Sequence, residues 1–313
     1  MYRAMDAESI VIFVCLGFLA LLIAGINSFV IYLVSKTPNL RSATNICLAS
    51  LAMSDMMTGL VSIPLVITCS LTLDYRGICV GSDMLSRFIS ISTALHLLIV
   101  TLERYIQIVH ALKYNSIVTI NRVIAVLIAT WTTSATVTII QRAWQSSSDD
   151  SDANREDVIY GLSCVVGIVL VPLAIIAYSY LRIFVALRHQ LKIIQRLNSP
   201  VERSTSLRKR KVERKAVTIF GCMILTFICC WFSYFMDGIR EDIGSDQFTY
   251  PVQVEVFLMF LRFISALVNP LLYTFLKEDF KIAARSTLFK RDDYNRTSCI
   301  YQTDYTPSTD TPV

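Results

Sequence analysis

The sequence predicts an all-α membrane protein, a bundle of seven transmembrane helices with a short amphipathic helix after the last span. Of its 313 residues, 54% are hydrophobic and only 17% are charged, whereas about a quarter of the residues of a soluble protein are charged. The hydrophobic residues form long blocks that short polar stretches separate. Since a hydrocarbon core offers no water to backbone N–H and C=O groups, blocks long enough to cross it must be helices.

Each hydrophobic block is long enough to cross a bilayer core, which takes about 20 residues of helix. The first block is too long for a cleaved signal peptide and carries Asn27 in its middle, so we expect it to be retained as a helix. The predicted spans are 9–35, 44–70, 79–109, 120–141, 157–187, 215–239 and 250–275.

The charges of the connecting segments predict the orientation. The loop after the fifth span contains the basic run Arg208–Lys211, whereas the loop before that span contains the acidic run Asp149–Asp152. Basic loops remain in the cytoplasm, so we expect a multi-pass plasma-membrane protein with an extracellular N-terminus and a cytoplasmic C-terminus. The same rule accounts for the net charge of +5, and no nucleic-acid partner is expected.

Polar side chains inside the predicted spans indicate a functional interior. Asp55 and Asn269 lie in the middle of hydrophobic blocks, and Glu103 and Arg104 lie near the end of the third. A charged group in hydrocarbon is costly unless it has partners or water, and such groups usually serve a function. We therefore expect a bundle interior that admits water or a ligand.

Short motifs in these spans follow one another in a recognisable order. They are an LAxxD sequence at Leu51–Asp55, the triplet Glu103-Arg104-Tyr105, an FxxCW sequence at Phe227–Trp231 and an NPxxY sequence at Asn269–Tyr273. In this order they resemble the rhodopsin-like (class A) G-protein-coupled receptors. Further matches to that family are Asn27, Cys79, Trp131, Pro172, Tyr180 and Phe280.

The resemblance implies a receptor, not an enzyme, that converts binding of an extracellular small molecule or short peptide into heterotrimeric G-protein activation. Arg104 would pair with Glu103 and with Glu213 of the sixth helix in the resting state. An outward rotation of that helix would break the pair with Glu213, a two-state switch. The other residues that the resemblance assigns to this switch are Tyr105, Pro172, Tyr180, Phe227, Trp231, Asn269, Pro270 and Tyr273.

The resemblance also implies an allosteric sodium ion, and no other cofactor is expected. Oxygen atoms are the ligands of hard cations. The candidate ligands are Asp55, Thr93, Ser265 and Asn269.

Cys79 stands where the family has a disulfide cysteine, but the second outer loop, about 142–157, contains no cysteine. Cys69 and Cys164 are the substitute partners, and a free thiol is the third alternative. The sixth helix also departs from the family, because Ser233 stands where a proline is usual.

The candidate ligand pocket lies at the extracellular end. Ser86 replaces the aspartate of the amine receptors, and Phe263 replaces the lysine that binds retinal, which excludes retinal bound in that way. Arg87 and Arg262 would either pair internally with Asp83, Asp237 or Glu255, or bind a ligand carboxylate or phosphate. The predicted lining is Asp83, Ser86, Arg87, Trp231, Tyr234, Phe235, Asp237, Glu255, Met259 and Arg262.

The predicted organisation is an extracellular segment 1–8, a receptor domain 9–275, an amphipathic membrane-surface helix 276–288 and a disordered cytoplasmic tail 289–313. The tail is rich in Ser and Thr, whose phosphorylation would favour arrestin-type partners. Its last residues, Thr311–Val313, match a ligand of PDZ domains.

Two other functions are compatible with a seven-span sequence. A channel or transporter would use Asp55 and Arg262 as an ion path and would show inverted repeats or broken helices. A receptor-shaped protein that binds partners without coupling would not need Glu103-Arg104-Tyr105 intact.

Overall fold

A computed structural model describes residues 6–72, 76–145, 159–195, 200–243 and 251–289. Within these residues, seven helices are long and apolar enough to cross a membrane, which confirms the predicted fold class. A further helix, α8, follows at Glu278–Phe289. The spanning helices are α1 Ala7–Lys36, α2 Ala43–Leu71, α3 Arg76–Val109, α4 Ile120–Gln145, α5 Ile159–Ile194, α6 Pro200–Ile243 and α7 Val252–Leu276.

The outer surface of the bundle carries large exposed apolar side chains, as expected of a surface that faces lipid. On α1, Val14, Phe18 and Leu21 are 66%, 64% and 74% exposed. Contiguous large apolar side chains of this kind are rare on soluble monomers. The polar side chains of the spans face inward instead, as shown by Asp55 and Asn269, which are almost completely buried.

One buried cluster joins most of the helices. Leu51 of α2, Leu97 of α3, Ile176 of α5 and Phe220 of α6 all belong to it, as does Tyr273 of α7. Helix α8 joins the same cluster through Phe280, whose ring lies 5.4 Å from that of Tyr273. The cluster fixes the relative positions of the helix ends on which the site is built.

Helices α1 and α2 approach each other closely at Gly59. A Cβ atom on this residue would lie 2.6 Å from the carbonyl oxygen of Ala20 and 3.0 Å from the backbone nitrogen of Ala24. Gly59 lies in a π-helical turn, Thr58–Ser62, which precedes Pro64. Because proline cannot donate to the preceding turn, a local widening of the helix before it is expected.

Helix α6 begins at Pro200, whereas the sequence predicted a span beginning at residue 215. The additional turns are rich in Arg, Lys and Glu, which favour helix in water but do not register as apolar. Hydropathy therefore locates the part of α6 inside the membrane and misses the part that projects from it.

Candidate functional site

Arg104 lies at one end of the bundle, which we call the Arg104 end. Its Nε atom lies 3.3 Å from Glu103 Oε2, and its terminal nitrogens donate to Thr44 of α2 and Gln107 of α3. Its guanidinium lies 5.2 Å from the centre of the Phe220 ring of α6. Because both terminal nitrogens are hydrogen-bonded and Nε faces the Glu103 carboxylate, the cation is held against the wall of the bundle.

Glu103 is held in turn by Tyr114, which the sequence did not single out. The Tyr114 hydroxyl donates to Glu103 Oε1 over 2.6 Å, from a short helix, Tyr114–Ile117, between α3 and α4. Burial and the neighbouring carboxylate of Glu103 raise the pKa of Tyr114. The contact therefore links the α3–α4 connection to the Glu103–Arg104 pair.

The described side chains of Arg104 and Glu213 do not form the ion pair that the resemblance implies for the resting state. Glu213 instead binds Arg210 one turn earlier on its own helix. The two pairings compete, and a partner on the same helix needs no approach of α6 to α3.

A different ion pair connects α6 to its neighbours. Lys215 Nζ donates to Glu278 Oε1 of α8 over 2.7 Å. The hydrogen bond from Lys215 is the main reason that the pKa of Glu278 lies below its ordinary value. The pair joins α6, the helix that the predicted switch would move, to α8.

The junction of α7 and α8 is anchored on α2. Lys277 donates to Asn45, and also to Asp279 Oδ2 over 2.9 Å, while Asn45 Nδ2 donates to the same oxygen over 3.1 Å. Burial raises the pKa of Asp279, but the charge of Lys277 and these hydrogen bonds outweigh it, so the pKa lies below its ordinary value. The Asp279 carboxylate therefore holds the junction in its charged form.

In the middle of the bundle, Asn269 Nδ2 donates to Asp55 Oδ2 over 3.1 Å. The other two candidate sodium ligands, Thr93 and Ser265, are also buried. The buried Asn27 Oδ1 and Tyr273 hydroxyl have no hydrogen-bond partner among the described residues. Buried polar atoms left in this state call for water or an ion, which is compatible with a hard cation beside Asp55.

Trp231 of α6 contacts α7 at Ser265, which lies between Asn269 and Arg262. Its Nε1 donates to Ser265 Oγ over 3.1 Å, and Ser265 Oγ donates to the carbonyl of Arg262 over 2.8 Å. The rings of Phe227 and Trp231 stack with centres 6.3 Å apart. The FxxCW motif of α6 is therefore hydrogen-bonded to α7 through one hydroxyl.

Asp83, Arg87, Tyr234 and Arg262 lie at the other end, which we call the Asp83 end. Arg87 Nη2 lies 3.1 Å from Asp83 Oδ2, and the Tyr234 hydroxyl donates to Asp83 Oδ1 over 3.0 Å. Arg87 also lies 5.5 Å from the centre of the Tyr160 ring of α5. Internal pairing with Asp83 is thus the alternative that the structure favours for Arg87.

Arg262 has a different environment. Its guanidinium lies 5.1 Å from the Tyr234 ring centre and 4.8 Å from that of Phe263. Its Nε is buried without a hydrogen-bond partner, and no carboxylate of the described side chains lies within ion-pair distance. Glu255 is exposed at the start of α7. This arginine therefore contacts aromatic rings and makes no direct ion pair with the described side chains.

With this geometry established, comparison with known proteins identifies the chain's family. Residues 26–273 match the family described as "7 transmembrane receptor (rhodopsin family)". The chain belongs to this family. The receptor is 28% identical over 288 residues to the histamine H2 receptor of Homo sapiens, covering 88% of this chain and 78% of that one. It is 26% identical over 321 residues to the 5-hydroxytryptamine receptor 1B of Didelphis virginiana, covering 85% and 83%.

Membership of this family settles the broad function. The chain is a G-protein-coupled receptor, hence a multi-pass plasma-membrane protein that acts through a heterotrimeric G protein and not as an enzyme. The channel or transporter and the non-coupling alternatives are not favoured.

The receptor's Cys79 is joined to Cys69, with their Cα atoms 4.9 Å apart. Of the alternatives that the sequence left open, the structure thus contains the one that links the ends of α2 and α3. Cys164 of α5 is a free cysteine.

Of the remaining residues of the predicted ligand pocket, two have described side chains and two do not. Ser86 is buried on α3, and Met259 is partly buried against the apolar cluster that includes Phe263. The side chains of Phe235 and Asp237, and the tail with Thr311–Val313, lie outside the described residues.

Sequence reasoning also missed a buried histidine. His96 of α3 binds Ser50 Oγ through Nε2 over 2.8 Å and contacts the carbonyl of Ser92 through Nδ1 over 2.7 Å. Trp131 Nε1 donates to the same Ser50 oxygen over 3.0 Å. Histidine within a predicted span is itself a signal of function or of a polar link, and here it joins α2, α3 and α4.

Proposed function

We propose that this receptor binds a small organic ligand at the Asp83 end and transmits the event to Arg104 at the cytoplasmic end. The orientation rests on the basic residues around the Arg104 end, such as Lys215, Lys277 and Arg285, which favour the cytoplasm. The single observation that carries the coupling role is the state of Arg104, a largely buried cation in contact with α2, α3 and α6. A group so held is a two-state element that a helix movement can release.

The path between the two ends is formed by hydrogen bonds along α7. Arg262 and Ser265 are joined through a backbone carbonyl, and Ser265 holds Trp231 of α6. One turn further, Asn269 binds Asp55 of α2. A ligand that shifts α7 at Arg262 would thus act on α6 through Trp231 and on α2 through Asn269.

The names of the two relatives raise the question of an amine ligand. Histamine and 5-hydroxytryptamine are amines, which an acid must bind, and Asp83 is the described acid that contacts Arg87 and Tyr234 at this end. Asp83 already accepts from Arg87 and Tyr234, so an ammonium group would have to compete with a guanidinium. An amine is therefore the weaker candidate.

A sodium ion at Asp55 is part of the proposal. Asp55, Thr93, Ser265 and Asn269 would supply oxygen ligands, and the bound cation would favour the resting bundle. Purified receptor should melt at a higher temperature in sodium chloride than in N-methylglucamine chloride at equal ionic strength. Asp55→Asn should remove the difference, and an equal response in both salts would contradict the site.

The proposal extends to two partners of the tail. Phosphorylated Ser and Thr residues after α8 would attract arrestin-type proteins. Thr311–Val313 would add a strand to a PDZ domain, and a pull-down with Val313 deleted tests this.

The coupling role is tested by Arg104→Ala in membranes with purified heterotrimeric G protein. We expect nucleotide exchange, basal or ligand-stimulated, to fall at least about tenfold, because a charge-assisted contact to the G protein is lost. Arg182→Ala is the matched control, since Arg182 is exposed on α5 and contacts only its neighbour Tyr178 among the described side chains. Equal exchange by Arg104→Ala and the control, at equal surface expression, would overturn the proposal.

A further inference from the structure

The Asp83 end contains two arginines, Arg87 and Arg262. Asp83 is the one described acid that forms an ion pair with either arginine, and its partner is Arg87. Arg87 is committed, because it binds Asp83 and lies over Tyr160. Arg262 has no such acid among the described side chains, and its Nε is buried and unpartnered. The described cluster therefore carries an excess positive charge, and that charge is located on Arg262.

Aromatic rings do not complete the environment of this guanidinium. Tyr234 and Phe263 lie against Arg262 at 5.1 and 4.8 Å and provide cation–π attraction. A ring face accepts no conventional hydrogen bond, however, and a guanidinium carries five N–H donors in a planar fork. A membrane-buried arginine in this state is stable only with an anion or water to accept those hydrogen bonds.

We infer that Arg262 binds the carboxylate of a small organic acid, and that this acid is the receptor's ligand. The inference rests on the proposed ligand site at the Asp83 end and names the chemistry that the site selects. A planar guanidinium binds a carboxylate through two parallel hydrogen bonds. Asp83, with Arg87 and Tyr234 on its two oxygens, repels a second anion from its own side and so orients the carboxylate toward Arg262.

The same residue connects ligand binding to the transducing part of the bundle. The Arg262 carbonyl accepts from Ser265, whose hydroxyl also accepts from Trp231. An acid bound to Arg262 therefore acts on α7 one turn away from the contact between α6 and α7. The same turn of α7 therefore carries the arginine that binds the acid and the serine that contacts α6.

The test measures binding and coupling separately. Purified receptor is screened by thermal shift against small carboxylic acids with aliphatic, phenyl and indole bodies, each beside its carboxamide, and against histamine and 5-hydroxytryptamine. We expect at least one acid to stabilise the receptor, with its carboxamide at least about tenfold weaker because the charge-assisted bonds are lost. Arg262→Gln should abolish the shift, and Arg262→Lys should retain part of it.

Two control variants separate ligand binding from structural roles. Arg182→Gln should leave the response to the acid unchanged. Asp237→Asn tests the rival view that Arg262 is neutralised by an acid of α6. An unchanged acid response in this variant supports the inference, whereas a response at least about tenfold stronger than in the unmodified receptor would show that Asp237 already neutralises Arg262 and would overturn it.

The outcomes distinguish this inference from the proposed function. If histamine or 5-hydroxytryptamine binds through Asp83 and no acid does, the receptor function stands and the carboxylate assignment is overturned. A screen in which no carboxylic acid stabilises the receptor also overturns it. If an acid binds through Arg262 but Arg104→Ala still activates the G protein, the inference stands and the proposed coupling fails.

Discussion

Lys215 of α6 and Glu278 of α8 form an ion pair of 2.7 Å, two residues along α6 from the acid that the sequence assigned to a lock with Arg104. Glu213 itself binds Arg210 of its own helix. The ion pair that ties α6 to the rest of the Arg104 end therefore runs to α8, and α3 contacts α6 there through Arg104 and the Phe220 ring.

Removing this pair should raise basal signalling modestly. Glu278→Gln removes an exposed ion pair that stabilises the contact between α6 and α8 by about 0.2–1 kcal/mol. Basal nucleotide exchange should therefore rise by up to about fivefold. The exchanged pair, Lys215→Glu with Glu278→Lys, should restore the basal rate. Glu213→Gln should leave it unchanged, and a rise in that variant alone would reinstate the original lock.

Gly59→Ala should destabilise the bundle. Its Cβ would lie 2.6 Å from a backbone oxygen of α1, so the two helices must separate, at a cost of about 1–3 kcal/mol. Surface expression and melting temperature should both fall. Gly25→Ala is the control, because a Cβ there meets nothing within 4 Å, and equal behaviour of the two variants would refute the close approach.

Ser265→Ala should separate ligand binding from activation. It removes the acceptor of Trp231 and leaves the Arg262 guanidinium in place. We expect an unchanged thermal shift by the stabilising acid, with maximal nucleotide exchange reduced at least about threefold, the effect of one neutral hydrogen bond. Full activation of this variant would show that Trp231 is reached by another path.

His96→Ala should lower the melting temperature without changing the ligand response. It leaves the partly buried Ser50 and the buried Ser92 groups with fewer partners, which costs about 1–3 kcal/mol. His189→Ala, an exposed histidine on α5, serves as the reference. A normal melting curve for His96→Ala would mean that water replaces the imidazole at no cost.

Thiol labelling tests the disulfide. Cys69→Ser should expose the Cys79 thiol to a maleimide, and Cys79→Ser should expose that of Cys69, because the two are joined. Each should lower the melting temperature, since closing even a short loop constrains the unfolded chain by about 2–3 kcal/mol. Cys164→Ser should do neither, and an effect there matching that of Cys69→Ser would indicate the other pairing.

The fold could be predicted because hydropathy and backbone hydrogen bonding leave few alternatives for such blocks. The proximity of Asp55 and Asn269 was predictable for a similar reason, since polar groups inside the bundle must have hydrogen-bond partners. The pairing of Arg104 with Glu103 was predicted and is present, but the partner of Glu213 was not predictable, because Arg104 and Arg210 are both candidate cations and local geometry decides between them. Tyr114 and His96 were missed because single residues outside a motif give no periodic signal.

The uninterrupted length of α6 has a mechanical consequence. At 1.5 Å per residue, the stretch between Trp231 and Lys215 is about 24 Å long, and its projecting turns continue to Pro200. With Trp231 as the fulcrum, a tilt of about 10° would displace Lys215 by roughly 4 Å, and the far tip of this lever by more. A shift of less than 1 Å in the position of α6 beside Ser265 would in this way become a displacement at its far end that is large enough to admit another protein.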